Sequence, residues 1–291
     1  MLNFNGQQII DYQSPMADSS RWRKFQLRPN DIVISTPPKS GTTWTQMICA
    51  LLIFRSAKLD QPLGTISPWL DQKVQSVEQV LAQYEAQTHR RFIKTHTPFD
   101  GIPYFDNVSY IFVGRNPLDQ FFSLYNHYKN SDRAAIEASL GQKLKAPFSA
   151  DPDKYFQQEI AKSTGWHHFE TFWQAKTLPN VILLHYSDLK SNLAKQISKL
   201  AHFLQIDITM EICNWLSTFA SFDYMKENAS NLAPNSIQNF WQSDHRFFHS
   251  GQDGFGRDFL SVESIQFYDS VKKRYPLDMI QWLEHGKSTH R

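Results

Sequence analysis

Residues 31–54 read Asp31-Ile-Val-Ile-Ser-Thr-Pro-Pro-Lys39-Ser-Gly41-Thr-Thr-Trp44-Thr-Gln-Met-Ile-Cys-Ala-Leu-Leu-Ile-Phe54. A short apolar run, Ile32–Ser35, passes through a tight Pro-Pro-Lys-Ser-Gly loop into Thr43–Phe54, which has the apolar density of a buried helix. Strand, loop, then helix shapes a backbone to hold a phosphate, because the helix start offers free N–H groups and a partial positive charge. Lys39 and the hydroxyls of Ser40, Thr42 and Thr43 add donors. The loop is not a Walker A motif, which needs G-x-x-x-x-G-K-[ST]. Here Lys39 precedes Gly41, and no Gly lies upstream in the loop.

Working outward, three more short apolar runs follow: Arg91–Lys94, Tyr110–Val113 and Val181–His185. Helical patterns separate them over Thr43–Phe54, Ser76–Gln87, Pro117–Tyr128, Thr164–Gln174 and Leu193–Phe203. That alternation predicts βαβ units around a central parallel sheet, an α/β fold flanked by helices. Asn116 before Pro117 reads as an N-cap followed by a first-turn proline. Residues 129–160 are polar and broken by Gly141, Pro147 and Pro152, so they read as a partly helical excursion over the surface. Residues 226–258 read as a long loop region, the kind that serves as a lid or binding loop. There is no repeat, low-complexity tract or linker, so one domain is expected, with a core of about residues 26–275.

Composition narrows the function classes. A net charge of +2 without a long Lys/Arg run argues against nucleic acid as a partner, so any anion site must be local. Aromatic residues reach 14%, enough both to fill a large core and to wall a pocket for a flat ligand. Cys49 and Cys213 sit in apolar contexts and read as reduced core residues. No His/Cys cluster suggests a metal. The start of the chain lacks a basic region followed by an apolar one, and no run nears the roughly 18 apolar residues of a membrane span. The expectation is a soluble, cytoplasmic protein with no membrane partner.

Three further segments carry chemistry. In Arg91-Phe-Ile-Lys94-Thr-His96-Thr-Pro98 a strand is cut off by a proline, which places His96 at the carboxyl edge of the sheet, where ligands bind in open α/β folds. An acceptor hydroxyl needs a base within hydrogen-bond reach and with a pKa near 7, and histidine is the natural choice. In Tyr110-Ile-Phe-Val-Gly-Arg115-Asn-Pro-Leu-Asp119-Gln-Phe-Phe-Ser123 a guanidinium at a strand end precedes a helix carrying Asp119 and Ser123 at i, i+4. A guanidinium fork and a hydroxyl together suit a phosphate. Phe247-Phe-His-Ser-Gly251-Gln-Asp-Gly254-Phe-Gly-Arg257 is a Gly-rich aromatic loop.

These segments carry a family resemblance. Pro38-Lys-Ser-Gly-Thr-Thr-Trp44 resembles the phosphosulfate loop of cytosolic-type sulfotransferases, which use 3′-phosphoadenosine 5′-phosphosulfate as donor. Lys94-Thr-His96-Thr-Pro98 is similar to their base-bearing segment, and Arg115-Asn-x-x-Asp-x-x-x-Ser123 to their 3′-phosphate motif. Gly251, Gly254 and Arg257 match a fourth motif, although His249-Ser250 stands where a basic residue is usual and Gly256 where a Trp is usual. The matches run in family order from about residue 26 to residue 261.

The resemblance implies a role for each position. Lys39 would contact the phosphate and the bridging oxygen, with Ser40, Gly41, Thr42 and Thr43 cradling the 5′-phosphate. Trp44, Tyr186, Ser221, Phe222 and Met225 would surround the adenine, with Ala220 where a Thr is usual. Arg115, Ser123, His249, Ser250 and Gly251 would meet the 3′-phosphate. Lys94 would neutralise the sulfuryl oxygens, His96 would act as general base, and His168 would line the acceptor pocket. No metal is implied, and the acceptor would be a small molecule bearing a hydroxyl or amine. The family's homodimer motif appears only in altered form, as Arg257-x-x-x-Ser261-Val262-x-x-x-Gln266, which leaves a homodimer open. Two rivals remain. A P-loop kinase would need an acidic residue at a strand end to hold Mg²⁺, and a non-catalytic module would keep the nucleotide site alone.

Overall fold

Four parallel strands form one sheet in the order β2-β1-β3-β4: β1 is Ile32–Ser35, β2 Phe92–Thr95, β3 Ser109–Gly114 and β4 Val181–His185. The computed structural model describes every residue except 145–148, 250, 252 and 287–291, and the side chains of all these but 163 and 164. In register, Ile32 to Ser35 lie beside Phe92 to Thr95, and Ile32 to Ile34 beside Ser109 to Ile111. β4 completes the sheet along the whole of Tyr110–Gly114.

The strands are apolar throughout because helices cover both faces. Successive residues point to opposite faces. Ile32 and Ile34 join a core with Met47, Ile48 and Leu51 of the Thr42–Phe54 helix. Val33, Ile93 and Phe112 join the other, built largely from aromatic rings such as Phe99, Phe172 and Trp282. Much of the aromatic excess is therefore core. β1 has β2 on one side and β3 on the other, so the chain leaves it at a point where the strand order reverses, which opens a crevice at the carboxyl ends.

The expected strands and helices are present with small shifts. β2 starts one residue later, because Arg91 is spent on a buried ion pair with Asp31, its Nε donating to Oδ1 at 2.9 Å. Asn116 caps the Pro117–Asn130 helix, accepting from the Leu118 N–H. In the polar stretch 129–160, helices Arg133–Leu140 and Pro152–Ala161 form, each capped by an Asp side chain. The loop region after residue 226 is irregular but carries one-turn helices at Ala229–Leu232, Asp244–Phe247 and Phe255–Phe259. Pieces that short make too few periodic contacts to leave a signal in sequence.

Candidate active site

The loop after β1 holds two left-handed residues in a row of three, Lys39 at φ 67° and Gly41 at φ 111°. Such a conformation in a lysine is strained, and strain persists where surroundings impose it. Gln120 Nε2 donates to the Pro38 carbonyl at 2.8 Å, and Arg115 Nη1 to the Lys39 carbonyl at 3.0 Å. Gly41 is the N-cap of the following helix and supplies no side-chain cap, so the helix start presents unclaimed N–H groups. A Cβ at Gly41 would lie 3.3 Å from the Tyr186 ring. Thr42 and Thr43 are buried in the first turn, the Thr42 hydroxyl bonded to that of Thr36. Ser40 is buried beneath the loop, its N–H donating to the Pro37 carbonyl at 3.3 Å and its hydroxyl without a partner.

Arg115 is 6% exposed, stacked over the Tyr186 ring at 4.0 Å, with its Nε buried and unpartnered. The Asp253 carboxylate lies 3.7 Å from its Nη2. A buried guanidinium with an orphaned N–H is a donor that an anionic group would complete. Ser123 walls the same cleft.

Positive charge concentrates at the crevice. The Lys39 ammonium sits over the Phe247 ring at 4.0 Å, and Lys94 over Trp69 at 5.2 Å. Burial, then Arg115 and Lys94, pull Lys39 down to about 7. Burial pulls Lys94 down to about 8, partly offset by the Asp71 carboxylate. Three cations packed together are only partly offset by Asp253 and Asp71, and a multiply charged anion would relieve the remaining cost.

His96 lies at the carboxyl end of β2 with its ring edge-on to Trp69 at 4.6 Å. Its Nδ1 is 2.6 Å from the Thr36 carbonyl, which can only accept. Nδ1 therefore carries the hydrogen, leaving the Nε2 lone pair free as a base. The expected pKa near 7 is corrected: burial, then Lys94, hold the imidazole down at about 3. The strand-end position was legible in sequence, but the desolvation and the converging lysines were not. An anion neutralising those lysines acts in the opposite direction.

Farther along the cleft, Trp44 and Tyr186 meet edge to face at 5.3 Å, and Trp44 Nε1 donates to the Ala220 carbonyl at 2.8 Å. Ala220 thus contributes through its backbone. Phe222 and Met225 wall the cleft beside them. Ser221 also lies there, but its hydroxyl caps the Phe222–Glu227 helix and donates to Thr218 O at 2.8 Å. Gly251, at φ 62°, presses on the Phe222 ring, where a Cβ would come within 2.6 Å. His249 lines the cleft edge against Phe122, while Ser250 lies outside the described residues. Arg257 is exposed and is not part of the cleft wall.

His168 lines the cleft but is also a buried residue, its Nε2 2.9 Å from Ser35 Oγ. Ser35 gives its hydrogen to the Thr97 carbonyl at 2.6 Å, so His168 must donate to Ser35. Sequence reasoning named Asp119 without a role and missed Trp69 and Asp71. Asp119 is buried and accepts the N–H groups of Gly254 and Gly256, at 2.9–3.0 Å, pinning the Gly-rich loop to the Pro117–Asn130 helix. The glycine at 256 is explained by the same contact, since a Cβ there would lie 2.2 Å from the Leu118 carbonyl carbon. Trp69 and Asp71, from an edge segment bridged to Lys94, belong to no spacing rule that sequence could reveal.

Lys39, Thr42, Thr43, Trp44, Lys94, His96, Arg115, Ser123, His168 and Tyr186 all open onto one cleft of about 1430 Å³. That exceeds the roughly 300–1,000 Å³ of a single-ligand pocket and leaves volume for more than one small ligand.

Comparisons agree with this geometry. The family model described as "Sulfotransferase domain" matches residues 29–284. A glycolipid sulfotransferase of Mycobacterium tuberculosis is 38% identical, covering 96% of this chain and 95% of its own. Human sulfotransferase 1E1 is 26% identical over 84% of this chain and 83% of its own. A mouse sulfotransferase solved with PAP superposes with a TM-score of 0.71 at 20% identity, covering 92% and 94% of the two chains, which shows a shared fold. Retinol dehydratase, solved with retinol and PAP, gives 0.68 at 21% identity over 89% of each chain. The chain belongs to the sulfotransferase domain family, and its chemistry is sulfuryl transfer.

Proposed function

We propose that this sulfotransferase takes 3′-phosphoadenosine 5′-phosphosulfate as donor and a sugar hydroxyl of a glycolipid as acceptor, with His96 as general base. The observation that carries the reading is the His96 tautomer: Nδ1–H is tied to Thr36, and Nε2 is left free beside Lys94 and the phosphate loop. When bound, the donor supplies a sulfuryl group whose bond to the phosphate oxygen breaks as the acceptor oxygen attacks sulfur. His96 Nε2 takes the acceptor proton as that O–S bond forms. Lys94 faces the charge on the sulfuryl oxygens, and Lys39 with the helix N-terminus meets the charge left on the departing phosphate. Arg115 and Ser123 hold the 3′-phosphate, which separates this donor from ATP. Trp44, Tyr186 and Phe222 hold the purine. These groups supply the positive field without a metal.

The glycolipid class rests on two supports. The mycobacterial relatives at 38–39% identity bear that name. The acceptor half of the cleft is walled by Phe121, Tyr155, Trp166 and Phe169, a surface suited to an acyl or isoprenoid chain. The kinase rival lacks its metal-holding acid, since the four strands end in Ser35, Thr95, Gly114 and His185.

Calorimetry with adenosine 3′,5′-bisphosphate and with ATP, each with and without Mg²⁺, tests the donor. Metal-independent binding of the bisphosphate alone is expected. A preference for ATP with Mg²⁺ would overturn the donor assignment.

A further inference from the structure

We propose that Asp71 is a positioning residue for the His96 base, gripping the strand end through the threonines on either side of it. The Thr95 hydroxyl donates to Asp71 Oδ2 at 2.8 Å, and the Thr97 hydroxyl donates to the same oxygen. The Thr97 N–H in turn donates to Thr95 Oγ1 at 2.9 Å, closing a tight turn around His96. The segment bearing Asp71 is itself fastened on both sides, by Leu70 N–H to the Lys94 carbonyl at 3.1 Å and by Asp18 N–H to the Asp71 carbonyl at 2.8 Å. From β1, the Ser35 hydroxyl holds the Thr97 carbonyl, and the Thr36 carbonyl holds His96 Nδ1. The imidazole is thus fixed by its own hydrogen bond and by its two neighbours, and only Nε2 is left unheld.

The chemistry of Asp71 is otherwise hard to account for. It is 1% exposed, its Oδ1 has no hydrogen-bond partner, and it lies beside a crevice built for anions. A buried carboxylate with an unpaired oxygen is costly, and a neutral side chain could bridge two hydroxyls at lower cost to folding. What the charge adds is a strong double acceptor at the base and a counter-charge near Lys94, whose protonation it favours. Costly local arrangements of this kind concentrate where function needs them.

This inference rests on His96 being the base, and the test separates the two. Asp71→Ala and Thr97→Val should each lower kcat by about 100-fold, the scale of a small misplacement of a reacting group, and Thr97→Val, which leaves every charge in place, should do so with bisphosphate affinity held. Asp71→Asn keeps an oxygen for the hydroxyls and should lose less than about tenfold, while its alkaline limb of activity moves to lower pH as Lys94 loses its counter-charge. Imidazole ¹⁵N spectra of His96, which need no turnover, should show the Nδ1–H tautomer in the parent and a tautomer mixture in the Ala and Val variants. If Asp71→Ala does not fold, Thr97→Val, nearly isosteric, carries the test. Unchanged kcat, an unchanged tautomer, or equal losses of kcat and bisphosphate affinity in Thr97→Val would overturn the clamp. Full turnover by His96→Ala would instead end the reading of the base, whatever the spectra show.

Discussion

Donor binding should draw protons from solvent, by an amount that the crevice itself sets. In the free protein burial, then Arg115 and Lys94, hold Lys39 at about 7, and burial holds Lys94 at about 8 against the Asp71 carboxylate. A bound bisphosphate brings counter-charge to both and returns them toward the usual lysine value near 10.4. At pH 8 the free site would have Lys39 roughly 90% neutral and Lys94 roughly half neutral, so binding should take up about 1.4 protons. The sign follows directly. The charged lysines favour the complex, so affinity is fully present below the free-site values and is lost as pH rises through them. Summed over both groups, the loss between pH 7 and pH 9 is about 500-fold. That window lies above the phosphate titration near 6, which keeps the ligand's charge constant. Calorimetry in buffers of different ionisation enthalpy gives the proton count from the slope of apparent enthalpy. Lys39→Arg cannot deprotonate in this range, so its uptake at pH 8 should fall to about 0.5. A slope near zero at pH 8, with affinity flat to pH 9, would show both lysines already charged in the empty cleft and refute the reasoning.

Three other outcomes are expected. His96→Ala should reduce turnover by about 100- to 10,000-fold while bisphosphate binding, measured by calorimetry, is retained; near-normal turnover would exclude His96 as base. Arg115→Lys keeps the charge but loses the fork and the stack on Tyr186, and should weaken bisphosphate binding by about 1.5–3 kcal/mol. An unchanged dissociation constant would place the 3′-phosphate elsewhere. Gly256→Ala forces a Cβ against the Leu118 backbone and should destabilise the fold by about 1–3 kcal/mol, read as a lowered Tm in thermal melts. A Tm equal to the parent's would mean the Gly-rich loop is not seated on that helix.

Sequence alone carried the features whose causes are local. Ile32–Ser35 is apolar because both its faces are covered, and Gly41 permits a turn that ordinary residues resist, so strand, loop and helix start stand in consecutive letters. His96 and Arg115 were equally legible, because a strand interrupted by proline or by an N-cap puts its last polar residue at the carboxyl edge. Tertiary structure decided what those residues can do. The tautomer of His96 depends on a carbonyl 60 positions away, and its depressed basicity depends first on burial and then on charge, from Lys94 two residues back and from Lys39 of the loop after β1. Asp71 reaches Thr95 and Thr97 across 24 and 26 positions, and Asp119 holds glycines 135 and 137 positions on. No periodicity links such pairs. Conformation propagates along a chain over a few residues, whereas desolvation, charge and hydrogen-bond partnership are set by whatever the fold packs alongside.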